Sequence, residues 1–371
     1  MRVLLVVSRS PVPAWRGNQA RTVEWLEALA GHDVGLVCPG AGESSPVPDR
    51  ITWMPHRLSP AARSLGLARA AIAGRPLQEG LYDSGSARRV VREALEHFRP
   101  DVVIIQMVRC GWAADLVRES SPNIPLVFDA IDAMGLHFER AARSTGPTLS
   151  FALRSEAHRC RRREQEIAEL ATITVAVSER DLAFLSVPGG RECVIPVAGQ
   201  QMTAHGSQPG APVVLLSGNL GYRPTIRGAL WFAEEIWPHL RTAVPGVRWV
   251  LAGARPGRAV RRLGRLAGVE VHADVSDLEP FLAGARVAIA PMSSGSGVPM
   301  KVLEAMAAGV ATVVHPWAAD GLVDEARGAV VEADDADQWV EIIKQLLSDP
   351  TAAQEIGHRG RSLWNRFYHP A

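Results

Sequence analysis

Short apolar runs recur along this chain, and nearly every one is followed by a stretch with helical spacing. The runs Val3–Val7, Val34–Cys38, Ile51–Met54, Val102–Ile105, Leu126–Phe128 and Ile173–Val177 have the length and β-branched content of buried strands. Helical patterns lie between them over Asn18–Ala30, Ala87–Phe98 and an arginine-rich Phe151–Leu170. Such alternation predicts a parallel α/β sheet. Periodicity then disappears from Ala198 to Gly210, where small and polar residues take over. A second series follows: Val213–Leu216, Trp249–Ala252, Val269–His272, Val287–Ala290, Ala311–Val314 and Ala329–Val331, with helices fitting every gap. Each parallel crossover is expected to be right-handed. The 371 residues are too many for one ordinary domain and suit two. The expected organisation is a first domain over 1–197, a linker over 198–211, a second domain over 212–351, and an amphipathic helix within 352–371 that crosses back to the first domain.

Charge removes several functional classes. Lys and Arg total 40 against 39 Asp and Glu, so no broad basic field exists to hold nucleic acid by counterion release. The four cysteines, Cys38, Cys110, Cys160 and Cys193, form no C-x-x-C and read as reduced thiols. The opening apolar run is too short for a signal peptide or a membrane span, so a cytoplasmic protein is expected. Only Lys301 and Lys344 are lysines, which draws attention to each.

Open parallel sheets bind ligands outside the carboxyl ends of their strands, so the crevice between two such domains is the expected site. The richest stretch runs from Pro291 to Gly309: a strand end, the loop Gly295-Ser296-Gly297-Val298, and a helix that starts at Pro299 and stops at Gly309. Gly295 and Gly297 allow close backbone approach, and the helix N-terminus favours an anion such as phosphate. Lys301 adds a full charge, and Glu304, one turn on, is placed for the vicinal hydroxyls of a ribose. Phosphate and ribose together mean a nucleotide. The bland alternative is a turn followed by an i,i+3 Lys301–Glu304 pair. A second candidate loop, Ser217 to Gly228, includes Gly218 and Asn219 and carries Arg223 and Arg227, whose forked guanidinium groups suit a diphosphate. Surface arginines in an arginine-rich chain would look the same.

Other phosphate motifs fail. After Gly295-Ser296-Gly297 no third glycine completes a dinucleotide fingerprint, and no P-loop, G-x-S-x-G or H-E-x-x-H is present.

The residues Leu216–Pro224, Ala229–Ala233 and Gly295–Gly309, the last containing Lys-Val-Leu-Glu-Ala-Met-Ala-Ala-Gly, resemble family-four retaining glycosyltransferases of the GT-B fold, in their bacterial sugar-transferase branch. The first half is similar more loosely, through its Pro-rich first loop, Asp129–Asp132 and Val177–Asp181. The resemblance implies two Rossmann-like domains facing across a cleft and a hexosyl-type transfer. A sugar would pass from a nucleotide-diphosphate donor, held mainly by the second domain, to a hydroxyl acceptor held mainly by the first: a natural product, a glycan or a lipid-linked molecule. No metal or other cofactor is expected. The family's E-x7-E signature puts its second glutamate on Glu304, but its first on Ser296, which is not acidic. Phosphate-binding residues carry over to Arg227, Arg223 and Lys301, and the small first loop to Gly17, with Asn18 and Arg21 opening its helix. Where many relatives place a histidine after the fourth strand, this chain has Gln106, whose amide can hydrogen-bond a hydroxyl but cannot titrate.

On this reading Arg227 and Lys301 stabilise the departing diphosphate and Asp129 or Asp132 orients the acceptor. Both aspartates also suit a helix cap. His137 enters the cleft or is a plain helix histidine, and Trp15 stacks on an acceptor ring or covers its loop. No carboxylate pair has the spacing for double displacement, which favours front-face attack. The departures at Ser296 and Gln106 keep two rivals open: a non-catalytic nucleotide-sugar-binding or partner protein, and a nucleotide-sugar epimerase on the same fold. The run Arg159-Cys160-Arg161-Arg162-Arg163 offers a peripheral contact for anionic lipid or is a solvated helix face, since Glu164 and Glu166 follow.

Overall fold

A computed structural model describes the chain except residues 13–16, 41–47, 144, 200, 204–211, 295–297 and 370–371. It divides into two units, Met1–Ile195 and Pro196–Ala371.

In the first unit seven strands run β1 (Arg2–Val6), β2 (Asp33–Pro39), β3 (Ile51–His56), β4 (Val102–Gln106), β5 (Leu126–Ile131), β6 (Ile173–Ala176) and β7 (Glu192–Val194). Their order in the sheet is β3-β2-β1-β4-β5-β6-β7, and every pairing is parallel. In the second unit β8 (Val213–Asn219), β9 (Arg248–Ala254), β10 (Val269–Ala273), β11 (Val287–Ala290), β12 (Ala311–Val314) and β13 (Val331–Glu332) form the parallel order β10-β9-β8-β11-β12-β13. Strands such as β1, β4, β8 and β11 are buried along almost their whole length, because helices cover both faces.

Each sheet reverses its strand order once, between β1 and β4 in one unit and between β8 and β11 in the other. At such a reversal the connections leave in opposite directions, and the carboxyl ends of the two central strands open onto a crevice. Each reversal positions a candidate site within its own unit.

The last helix, Pro350–Phe367, packs inside the second unit. Gly357 lies against the Gly309 backbone so closely that a Cβ would meet the Gly309 carbonyl oxygen. The hydroxyl of Tyr368 behind it accepts from the Val323 amide at 2.8 Å, and its carbonyl accepts from the Gly199 amide at 2.7 Å. All four cysteines are free thiols. No described helix is long and apolar enough to cross a membrane.

Candidate functional site

The second unit's crevice is assembled by β8, β11 and the helices that follow them. β8 ends at Gly218 and Asn219, and Gly218 has φ +97°, a conformation that side chains rarely adopt. The helix Arg223–Trp231 starts next, with Pro224 in its first turn, where the missing N–H costs nothing. β11 is followed by Pro291 and Met292, and the helix Met300–Ala308 closes at Gly309 with φ +72°, the left-handed stop that glycine provides. Pro299 sits at the N-cap of that helix rather than within its first turn.

Lys301 reaches across this crevice. Its side chain lies over Gly218, where a Cβ would stand 3.7 to 3.9 Å away. Its ammonium donates to Thr225 Oγ1 at 3.0 Å and to Met292 Sδ at 3.3 Å. A thioether and a hydroxyl are weak partners for a full charge, and burial pulls the Lys301 pKa down to about 8, with Glu304 opposing. The i,i+3 pairing of Lys301 with Glu304 is not what the ammonium uses. Glu304 Oε2 is buried with no hydrogen-bond partner among the described residues, and burial pushes the carboxyl's pKa up while Lys301 pulls it back. A cation satisfied only by soft neutral groups and a carboxylate oxygen with nothing to accept from stand one helical turn apart. Arg223 and Arg227 are exposed on the neighbouring helix, and Val298 is half-buried. Asn219 folds its Oδ1 back to accept from the Gly221 amide at 3.0 Å. Gly295, Ser296 and Gly297 lie outside the described residues.

In the first unit the switch point holds a buried polar knot. Asp129 has no exposed surface, and its Oδ2 accepts from Trp25 Nε1 at 2.6 Å, Gln106 Nε2 at 3.2 Å and Arg21 Nε at 3.3 Å. Gln106 Oε1 in turn accepts from Thr22 at 2.8 Å, and Arg21 also binds Glu24 at 3.1 Å. Both ends of the Gln106 amide are occupied inside the fold, and Arg21 is only 3% exposed. Asp129 Oδ1 has no hydrogen-bond partner among the described residues. The helix that follows β5, Met134–Arg143, has its first amides taken by other carboxylates: Glu164 accepts from Met134 and Gly135 at 2.6 and 3.1 Å, and Asp181 from Ala133 at 3.3 Å.

Next to the knot the backbone is strained. Met107 after β4 has φ +61° and Ile131 at the end of β5 has φ +59°. Such conformations cost about 1 to 3 kcal/mol each and cluster where function demands them. They turn the chain so that Arg109, Asp132 and His137 come together electrostatically with Arg9. Arg109 makes no ion pair among the described residues; it donates to Gln78 Oε1 at 2.8 Å and to Met107 Sδ at 3.5 Å, and burial and Arg9 pull its pKa down. His137 is held to a pKa of about 4 by burial and by Arg109, so it is uncharged at neutral pH. Arg9 donates to Asn18 Oδ1 at 3.4 Å, and Gly17 opens its helix with free space above it. Trp15 lies outside the described residues.

Sequence reasoning missed Arg9, Thr22, Trp25, Arg109, Thr225 and Met292. Trp25 was legible from its spacing, four residues after Arg21 and three after Thr22 on one helix. Nothing in the sequence signalled that Met107 would turn Arg109 toward Arg9. The arginine run also divides: Arg163 is buried on Glu79 and Asp115 at 3.2 and 2.8 Å, and Cys160 is buried, so only part of it faces out.

Two family models cover most of the chain: "Glycosyl transferase 4-like domain" matches residues 18–198, and "Glycosyl transferases group 1" matches residues 211–349. The chain belongs to the family-four glycosyltransferases of the GT-B fold, as its motifs predicted. It is an enzyme, a glycosyltransferase. Among solved structures, sucrose-phosphate synthase from Thermosynechococcus elongatus aligns with a TM-score of 0.73 at 16% identity, over 100% of this chain and 95% of that one. Anabaena HepE in complex with UDP aligns at 0.65 and 16%, over 100% and 96%. The UDP-forming α,α-trehalose-phosphate synthase of Burkholderia vietnamiensis aligns at 0.66 and 13%, over 99% and 96%. These likenesses show the fold. A comparison with curated protein sequences gives no match.

Proposed function

We propose that the second unit holds the donor's diphosphate on Lys301 and the amides at the start of its helix, and the donor's ribose on Glu304. The observation that carries this reading is the unmatched pair in the β8/β11 crevice: an ammonium left with a hydroxyl and a thioether, and a carboxylate oxygen left with none. A pyrophosphate supplies the anion that Lys301 lacks, and ribose hydroxyls supply the donors that Glu304 lacks. Arg227 and Arg223 reach the same phosphates from the neighbouring helix. Ser296 then leaves the donor sugar to be held by neutral groups.

The acceptor is held by the first unit, beside Arg109, Asp132 and His137, with Asn18 and Gly17 lining the loop side. Asp129 and Gln106 fix the helix Gly17–Ala28, which carries Gly17 and Asn18. In the reaction the C1–O bond to the diphosphate breaks while C1 bonds to the acceptor oxygen on the same face. The acceptor proton passes to the departing phosphate oxygen, and Lys301 and Arg227 stabilise the negative charge that collects there.

HepE is solved with UDP and with UDP-glucose, so uridine diphosphate sugars are the first donors to test. The experiment is a screen of sugar nucleotides with the purified chain, following release of the nucleoside diphosphate. Slow release from one donor, lost in Lys301→Ala, supports the reading. Release that is undiminished in Lys301→Ala contradicts it.

A further inference from the structure

Two guanidinium groups stand at the switch point of the first unit without matching anions. β1, β4 and β5 lie side by side, Val6 pairing with Ile105 and Gln106 with Asp129. Arg9 comes three residues after Val6, Arg109 three after Gln106 and Asp132 three after Asp129, so all three leave the carboxyl ends of adjacent strands. That is where an open parallel sheet receives a ligand.

Arg109 is held rigidly, and by neutral partners. Its Nε donates to Gln78 Oε1, which is fixed in turn: the Gln78 Nε2 donates to Cys160 Sγ at 3.2 Å, and the Gln78 backbone amide donates to Glu156 Oε1 at 3.3 Å. Gln78 is buried. Arg109 Nη1 meets only the Met107 thioether, and its Nη2 has no hydrogen-bond partner among the described residues. Arg9 is half-buried, and its one side-chain bond there is the long contact from Nη1 to Asn18. A merely solvated arginine needs no such scaffold, whereas a guanidinium fixed with part of its fork unused is preorganised to receive an anion.

The acids around this point are committed elsewhere. Arg21 takes both Asp129 and Glu24. Glu79 and Asp115 hold Arg163, Glu164 accepts from the Met134 and Gly135 amides, and Asp181 accepts from the Ser178 hydroxyl at 2.6 Å. Asp132 lends its charge to Arg109 without forming an ion pair with it, and His137 is uncharged at neutral pH. Arg9 also makes no ion pair among the described residues, and its like charge acts on Arg109. Keeping two partly desolvated cations together is unfavourable unless an anion completes them.

We propose that the acceptor is itself an anion, whose phosphomonoester or carboxylate group is clamped by the guanidinium groups of Arg109 and Arg9. Either group accepts the forked hydrogen bonds that arginine offers, and a neutral sugar supplies neither the charge nor the paired oxygens. Gln78 sets the angle at which Arg109 meets that group. The inference rests on the reading that the first unit holds the acceptor, and adds the acceptor's charge to it.

The test is isothermal titration, without donor, of hexose phosphates and hexuronates, each beside its neutral hexose, into the full chain. At least one anionic sugar should bind about tenfold or more tightly than its neutral parent. A preference among the phosphates assigns the group as a phosphomonoester, and one among the hexuronates as a carboxylate. Arg109→Gln and Arg9→Gln should each weaken that binding by roughly tenfold, and Arg109→Lys, which keeps the charge but not the fork, by less. Should Arg109→Gln lower the thermal midpoint, Arg9→Gln decides, since Arg9 is the more loosely bonded of the two. Lys301→Ala should leave the anionic sugar's affinity unchanged while weakening nucleoside diphosphate, and Arg109→Gln should do the reverse. Nucleotide binding that ignores Lys301 therefore sinks the donor reading alone. A wild type with no preference for any anionic sugar overturns the proposal, as does equal binding by both arginine variants. Loss of nucleoside diphosphate affinity in Arg109→Gln also overturns it, by assigning the pair to the donor.

Discussion

Lys301 carries more of the chemistry than any other single residue. With its pKa drawn down to about 8, the ligand-free lysine loses its charge just above neutrality. A bound diphosphate favours the charged form, so binding takes up a proton above that pH and affinity falls as pH rises through it. Calorimetric titration of a nucleoside diphosphate should show affinity nearly constant below about pH 7.5 and reduced by roughly tenfold over the first unit above 8. A flat profile to about pH 9.5 would exclude Lys301 as the anion's partner. Glu304→Gln removes a charged acceptor and should weaken free nucleoside diphosphate by about tenfold, seen in the same titration. Asp129 belongs to a different class. Replacing it with Ala removes the buried carboxylate that Arg21, Trp25 and Gln106 all donate to and should cost about 3 to 5 kcal/mol of stability, measured by denaturant unfolding. Lys301 and Glu304 were legible in the sequence because their spacing from a glycine loop carries chemistry. The Asp129 knot was not, because its partners come from Arg21, Trp25 and Gln106, up to 108 residues apart.

Elements were legible where burial makes them apolar. β11 and β12 have the bounds that their apolar runs predict, Val287–Ala290 and Ala311–Val314. Others run on: β8 extends to Asn219 and β4 to Gln106, because a parallel ladder continues through polar side chains once the backbone is aligned. Those polar extensions are the residues that face the switch points, so the apolar signal ends just where the site begins. The short β7 was missed, since its three half-buried residues give no run. Pro60–Ile72 was missed because its periodic side faces outward and its core side is only Gly66 and Ala70. At this scale the packing of Pro350–Phe367 on the donor-side helix is testable. Gly357→Ala forces a methyl group against the Gly309 carbonyl and should destabilise the second unit by about 1 to 3 kcal/mol, read as a lowered thermal midpoint. An unchanged midpoint would mean that this contact relaxes without cost.

The whole molecule repeats one solution twice: a parallel sheet whose strand order reverses beside its first strand, with polar groups gathered at the reversal. The two reversals differ in charge. The first unit's combines Arg9 and Arg109 with Asp132 and an uncharged His137, whereas the second unit's presents Lys301 and Glu304 with unmatched hydrogen-bonding capacity. That asymmetry is what supports the proposed division of donor and acceptor between the units, and the family's fold follows from the chain's alternating runs. The decisive measurement is isothermal titration of UDP and the other common nucleoside diphosphates into the wild type, Lys301→Ala, and Lys344→Ala, which changes an exposed helix lysine paired with Glu341. Micromolar binding of at least one nucleotide, weakened by about 10²-fold or more in Lys301→Ala and unchanged in Lys344→Ala, is what a diphosphate held at the β8/β11 crevice requires. Equal affinity in all three proteins would contradict it.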